Sequence, residues 1–186
     1  ASHSVSTLID LGCGPADITI RMCRALPELR ATAVDASGPM LDLGGRVASQ
    51  AGLADRLALH TAALPLPPPQ RGYDAIISNS LLHHLPDPMI LWEEVKRQAY
   101  EPSKGTSRVY IMDLLRPADT QTAQGLVDTY APGEPEILRV DFYNSLLAAY
   151  RPSEIQDQLA QAGLSQLVVE TPTDRHIVVR GAIDHA

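Results

Sequence analysis

Apolar positions along the chain switch between a period of two and a period near 3.6, and the switches mark out its elements. In LIDLGCGPADITIRM (Leu8–Met22) a short apolar run ends in Asp10, Gly12 and Gly14 follow, and helical spacing then begins at Ile18. Ile18, Met22, Cys23, Leu26 and Leu29 form the stripe of that helix, with Arg21 and Arg24 outward and Pro27 near its end. Ala31–Asp35 (ATAVD) reads as a second strand ending in an acid. Ser37 caps a second helix, Pro39 sits just inside it, and Met40, Leu41, Leu43, Val47, Ala48 and Ala51 give its apolar positions. Gly44 and Gly45 weaken that helix by about 1 kcal/mol each, and Gly52 ends it.

The second half keeps this rhythm and then breaks it. Leu57–Thr61 (LALHT) is a third strand, Leu66–Gly72 a stiff proline-rich loop, and Tyr73–Ser78 a buried fourth strand. Asp87 and Pro88 open a helix through Leu91, Trp92 and Val95, with Glu93, Glu94, Lys96 and Arg97 expected to face water. Glu101–Ser107 is a turn, and Arg108–Leu114 a fifth strand with Asp113 near its end. Between Pro117 and Arg151 two helical patterns, Thr120–Tyr130 and Glu136–Tyr150, replace the strand–helix alternation. Ser153 and Gln156 read as a capping box for a last helix with Ile155, Leu159 and Ala162, ended by Gly163. Leu164–Glu170 and His176–Gly181 read as a hairpin joined by Thr171–Arg175.

The glycine turn between first strand and first helix is the entrance of a Rossmann-like βαβ unit, where a backbone free of Cβ atoms can approach a ligand. Asp17 stands where the third glycine of a dinucleotide fingerprint would be, and a carboxylate there repels a pyrophosphate. No Lys follows the loop, so the P-loop pattern fails as well. With Asp10 beside the turn, the pocket is acidic and suits a nucleoside with a cationic end. Asp35, at the carboxyl edge of the sheet, is placed to accept both hydroxyls of a ribose.

D10-L-G12-C-G14 with Asp35 in VDAS resembles motif I and the acidic loop of the class I S-adenosylmethionine-dependent methyltransferases. The D-x-G-x-G-x-G of that family is met at three of its four places, with Ala16 at the last. IISNSLLHHLPDP (Ile76–Pro88) is similar to the segment after strand four in its small-molecule branch, of which the quinone-type enzymes are the best known. The resemblance implies an α/β fold: a Rossmann-like, doubly wound seven-stranded sheet, mostly parallel, with a C-terminal antiparallel β-hairpin. It implies one methyltransferase domain over residues 1–186, with a helical lid inserted at about 117–151. It implies S-adenosyl-L-methionine as cofactor, S-adenosyl-L-homocysteine as product, and methyl transfer to a small-molecule acceptor.

The cofactor residues expected on this basis are Asp10, Gly12, Cys13, Gly14, Asp35, Ala36 and Met40, with His60, Thr61 and Asn79 lining the site. His60 takes the place of the acid that accepts from the adenine amino group in the family, and a neutral imidazole can accept there through one ring nitrogen. His84 is the expected general base, His83 is expected to pack, and Tyr143 and Asn144 are the expected substrate contacts. Members of the family carry an N-terminal helical segment over the cofactor site, whereas this sequence opens with Ala1 a few residues before its first strand. That part of the specificity region is expected to lie outside it. Two alternatives stay open: a module that binds S-adenosylmethionine without catalysis, and an NAD-type Rossmann oxidoreductase.

Composition narrows the classes further. At 186 residues a single domain with a sizeable core is expected, and 45% hydrophobic with 20% charged residues is ordinary for a globular protein. A net charge of −7 without a basic stripe argues against a nucleic-acid partner. Cys13 and Cys23 lack metal-type spacing and read as reduced thiols of a cytoplasmic protein. Adjacent His83 and His84 diverge on a turn and do not form a chelating pair, so no metal is expected. No apolar run reaches membrane-spanning length and no signal peptide is visible. The sequence leaves the oligomeric state open.

Overall fold

The structure, a computed structural model, describes residues 5–69, 71–99 and 105–184. Its strands are β1 (Thr7–Leu11), β2 (Arg30–Asp35), β3 (Leu57–Thr61), β4 (Ala75–Asn79), β5 (Thr106–Leu114), β6 (Val168–Glu170) and β7 (His176–Asp184). Its helices are α1 (Asp17–Ala25), α2 (Gly38–Gln50), α3 (Met89–Ala99), α4 (Thr120–Tyr130), α5 (Glu136–Ala148) and α6 (Pro152–Ala162), with a 3-10 turn at Leu82–His84. The strands form one sheet in the order 3-2-1-4-5-7-6. β1 to β5 run parallel, and β7 pairs antiparallel with both β5 and β6. The expected seven-stranded sheet with an antiparallel end is therefore observed.

Both faces of the sheet are covered, which is why its central strands read as continuous apolar runs. Ile9, Leu11, Ile76, Val109 and Ile111 pack under α3 and α6, around the fully buried Trp92. Leu8, Ala31 and Ala33 pack on the other face with Ile20 and Cys23 of α1 and Ala48 of α2. The order of the strands switches sides between β1 and β4: β2 and β3 are added on one side of β1, and β4 and β5 on the other. The carboxyl ends of β1 and β4 therefore open a crevice, the place where such sheets hold ligands.

Several local expectations give way to tertiary packing. α1 ends at Ala25, so Leu26 becomes its exposed C-cap, and the buried side is Thr19, Ile20 and Cys23. On α2 the buried positions are Leu41, Gly44 and Ala48, while Met40, Leu43 and Val47 are exposed. Glu94 does not face water: it is 0% exposed, and its carboxylate accepts from Gln98 Nε2 (2.6 Å), Arg97 Nη1 (2.6 Å) and the backbone N–H of Leu66 (3.0 Å). It clamps the start of the proline-rich loop onto α3. The last helix begins at Pro152 rather than after Ser153, and the Glu154 carboxylate accepts from the backbone N–H of Arg151 at 2.7 Å. β6 is shorter and β7 longer than the alternation suggests. β5 starts at Thr106, and the first four residues of the expected turn, 101–104, lie outside the described residues.

α4 and α5 form the expected helical pair. Leu126, Val127, Ala131 and Leu146 are the centre of a small separate cluster, flanked by Leu114, Phe142 and Tyr143. α5 also lies against the 3-10 turn.

Candidate active site

The glycine loop is shaped by backbone hydrogen bonds. Gly12 and Cys13 both donate to the carbonyl of Val34, at 2.8 and 3.0 Å, which folds the loop back over β2. Gly12 adopts φ 71°, which favours glycine, and a Cβ there would meet Leu81 Cδ1 at 2.8 Å and have to push that side chain aside. Ala16, where the family motif has its last glycine, is also left-handed at φ 56°, a conformation that costs a residue with a Cβ about 1–2 kcal/mol. Gly44 has a tertiary role hidden from a helix-propensity argument. A Cβ there would sit 2.5 Å from the carbonyl oxygen of Pro15, so α2 can press against the loop only because Gly44 has none.

Asp35 is oriented by the same loop. Its Oδ2 accepts from the Gly14 N–H and its Oδ1 from the Ser37 N–H, both at 2.7 Å. Each carboxylate oxygen keeps a further lone pair, so the group can still accept two hydroxyls. Asp10 is only 2% exposed, and Thr19 donates a hydrogen bond to it. Burial, with smaller contributions from the charges of Asp17 and Asp35, pushes its carboxyl up to about 6 against the hydrogen bond from Thr19. Burial and the charges of Asp10 and Asp35 likewise push the Cys13 thiol up to about 12, so it is no nucleophile at neutral pH.

Two adjoining cavities occupy the crevice and share Gly12, Asp35 and Leu81. The larger, about 410 Å³, is walled by Asp10, Asp17 and Asp35, by the loop from Gly12 to Pro15, and by Met40, Asn79 and His84. Asn79 Oδ1 is the buried side-chain polar atom among the described residues that has no hydrogen-bond partner. Such an orphan acceptor calls for a donor from a ligand. The smaller cavity, about 300 Å³, is apolar: Ala36, Ala62, Leu64, Leu81, Leu85 and Ile90 form a slot beside Asp35. A broader depression of about 720 Å³ lies outside this crevice, between α2 and β3.

Of the residues expected at the site, Asp10, Gly12, Cys13, Gly14, Asp35, Met40, Asn79 and His84 surround the larger cavity and Ala36 the smaller. Four are placed elsewhere. His60 is exposed and lines neither cavity, because β3 stands one strand further from the crevice than β2. Thr61 borders the outer depression instead. Tyr143 packs into the cluster with Leu126 and Leu146, its neighbour at i+3, and Asn144 is exposed on α5. The apolar slot was missed, although Leu81 and Leu85 of LLHHLP flank the expected base and Ala62–Leu64 follow the third strand directly.

His84 sits at the mouth of the larger cavity, its ring centroid 4.0 Å from that of His83. Partial desolvation and the charge of His83 hold His84 below the ordinary imidazole value, while Asp113 and Asp141 act in the opposite sense. It is therefore available as a neutral proton acceptor.

A doubly wound sheet with an antiparallel seventh strand, and an acidic, glycine-walled crevice at the ends of β1 and β4, define an α/β domain of the Rossmann-like class. A family model described as "Methyltransferase domain" matches residues 8–100, half of the chain, and the chain belongs to that family. It is 28% identical over 156 residues to the 27-O-demethylrifamycin SV methyltransferase of Amycolatopsis mediterranei (strain S699), covering 81% of this chain and 56% of that protein. It is 29% identical over 113 residues to the demethylmenaquinone methyltransferase of Listeria monocytogenes serotype 4a (strain HCC23), covering 60% and 46%. The chain thus spans about half the length of these curated relatives.

Solved structures share the fold. A SAM-dependent methyltransferase from Aquifex aeolicus aligns with a TM-score of 0.66 at 18% identity, covering 96% of this chain and 82% of that one. The plantazolicin methyltransferase BpumL, solved with a pentazolic desmethylPZN analog and SAH, aligns with a TM-score of 0.72 at 13% identity, covering 96% and 78%. The family match and the antiparallel end of the sheet set the NAD-type alternative aside.

Proposed function

We propose that this chain binds S-adenosylmethionine in the paired cavities and transfers its methyl group to a small-molecule acceptor. The observation that carries the reading is the match between cleft and ligand: an acidic cavity with the orphan acceptor Asn79 Oδ1 adjoins an apolar slot, and Asp35 stands between them. When bound, S-adenosylmethionine supplies an electrophilic methyl on a sulfonium. Asp35 would hold the ribose hydroxyls through its two free acceptor positions. Leu64, Leu81 and Leu85 would flank the adenine, and Asp10 and Asn79 Oδ1 would accept from the ammonium end.

His84, at the mouth of the cavity, would take the proton from the acceptor as it attacks. α4 and α5 are read as a cover over this mouth. Support comes from the position of α5 against the 3-10 turn and from the charge that Asp141 of α5 exerts on His84. Among the described residues no cluster of His, Cys, Asp and Glu could hold a metal, and no helix is long and apolar enough to cross a membrane.

Thermal denaturation with S-adenosylhomocysteine, NAD, NADP and ATP tests the cofactor: the first should raise the melting temperature and the other three should not. A shift with a dinucleotide would overturn the assignment. Methyl transfer to a panel of phenols, amines and carbon acids then tests the reaction. Binding without transfer to any of them would favour the non-catalytic module.

A further inference from the structure

Behind the wall of the cleft lies a pair of residues that the transfer chemistry above leaves unused. The Asp113 side chain is 4% exposed and that of His83 3%. Asp113 Oδ2 accepts from the Leu82 N–H at 2.7 Å, and its Oδ1 accepts from the Leu114 N–H at 2.6 Å. The same Oδ1 lies 2.5 Å from His83 Nδ1. A carboxylate held by two backbone donors is an acceptor, so Nδ1 of His83 carries the hydrogen and the ring is fixed in one tautomer. The ring of His84 stacks on this fixed ring at 4.0 Å, with an interplanar angle of 40°. Two imidazoles so close do not both take a proton cheaply, and the carboxylate faces only one of them.

We infer that Asp113 and His83 work through His84: Asp113 fixes the ring of His83, and that ring holds His84 at the mouth of the cleft and resists a second proton beside it. The inference rests on His84 being the proton acceptor of the proposed reaction. Neither Asp113 nor His83 lines the cleft, so both are positioning residues. The charges that bear on His84 come from its own turn (His83), from β5 (Asp113) and from α5 (Asp141). A proton held on His83 disfavours a second one on His84, whereas the two carboxylates favour it. The arrangement gives a base at the rim of the cleft, set against the pull of Asp113 and Asp141 for a proton.

The test is the titration of the histidine rings by proton–carbon correlation NMR, with His84 assigned by the signal lost in His84→Gln. His84 should titrate below the ordinary imidazole range. His83→Gln should move its midpoint up, and Asp141→Asn, an exposed change, should move it down. An unmoved midpoint in folded His83→Gln protein overturns the inference. Should that variant not fold, the wild-type protein decides: a nuclear Overhauser contact between the rings of His83 and His84 is required, and its absence overturns the stack. That contact should weaken in Asp113→Asn, and its persistence unchanged would remove Asp113 from the device. Kinetics with an acceptor from the panel separate the two readings. If the midpoint moves in His83→Gln but the acidic limb of kcat/KM does not follow, the coupling of the rings stands and His84 is not the base.

Discussion

Asp10→Asn should make the free protein more stable at neutral pH and cripple cofactor binding. Asp10 is buried at the end of β1, its hydrogen bond comes from Thr19, and Asp17 and Asp35 stand near it. Its carboxyl is raised from the ordinary 3.8 to about 6. Between those values the native state binds the proton that the unfolded chain has released, so stability falls as pH rises through this window. The penalty is absent below about pH 4 and complete above about pH 6, where it amounts to about 3 kcal/mol. Asparagine carries no charge to desolvate and can still accept from Thr19, but its amide adds a donor that costs about 1 kcal/mol.

A net gain of about 2 kcal/mol at pH 7.5 follows, or about 4–8 °C in Tm for a chain of this size. Urea denaturation of both proteins at pH 7.5 and near pH 4 measures it, and the advantage of the variant should vanish at the lower pH. The variant should lose most of its affinity for S-adenosylmethionine, while wild-type affinity should fall as pH drops through about 6. A stability difference equal at both pH values would show that Asp10 does not carry the strain assigned to it.

Three further outcomes probe the same geometry. Asp35→Ala should weaken S-adenosylhomocysteine by about 1.5–3 kcal/mol by calorimetry, the range for hydrogen bonds to a charged group, and unchanged affinity would remove Asp35 from the site. Gly44→Ala sets a methyl 2.5 Å from the Pro15 carbonyl oxygen, so it should displace the glycine loop and abolish the thermal shift with S-adenosylhomocysteine. Gly45→Ala, whose added carbon would meet only Leu59 Cδ1 at 3.6 Å, should keep that shift and serves as its control. Glu94→Ala leaves the Leu66 N–H and the Arg97 and Gln98 side chains without their shared acceptor and should cost about 3 kcal/mol in urea denaturation. A loss below 1 kcal/mol would mean that the loop does not depend on Glu94.

The sequence by itself determined those features whose physics is local. Gly12 and Gly14 between a strand and a helix define the turn without reference to the rest of the chain, and Asp35 at the end of the next strand is set beside that turn by the βαβ connection. Alternating and helical periods located every strand and helix, because burial on one face leaves its mark along a single element. The antiparallel end was legible because a short loop between two apolar runs permits only a hairpin.

What only the tertiary structure decided is how elements distant in sequence meet. Glu94 looks like a solvated helix residue until the proline-rich loop folds over it and supplies a donor. Gly44 looks like a weak point in a helix until α2 meets the backbone of Pro15. His83 pairs with Asp113 only because β4 and β5 lie side by side in the sheet, and no pattern in LLHHLP separates the buried ring from the one at the cleft. The polar tip of Tyr143 points a sequence reading toward the site, whereas in the structure its ring packs against the cluster that α4 and α5 share. Periodicity records that a face is buried; which partner buries it is fixed by the strand order and by the shapes that meet there.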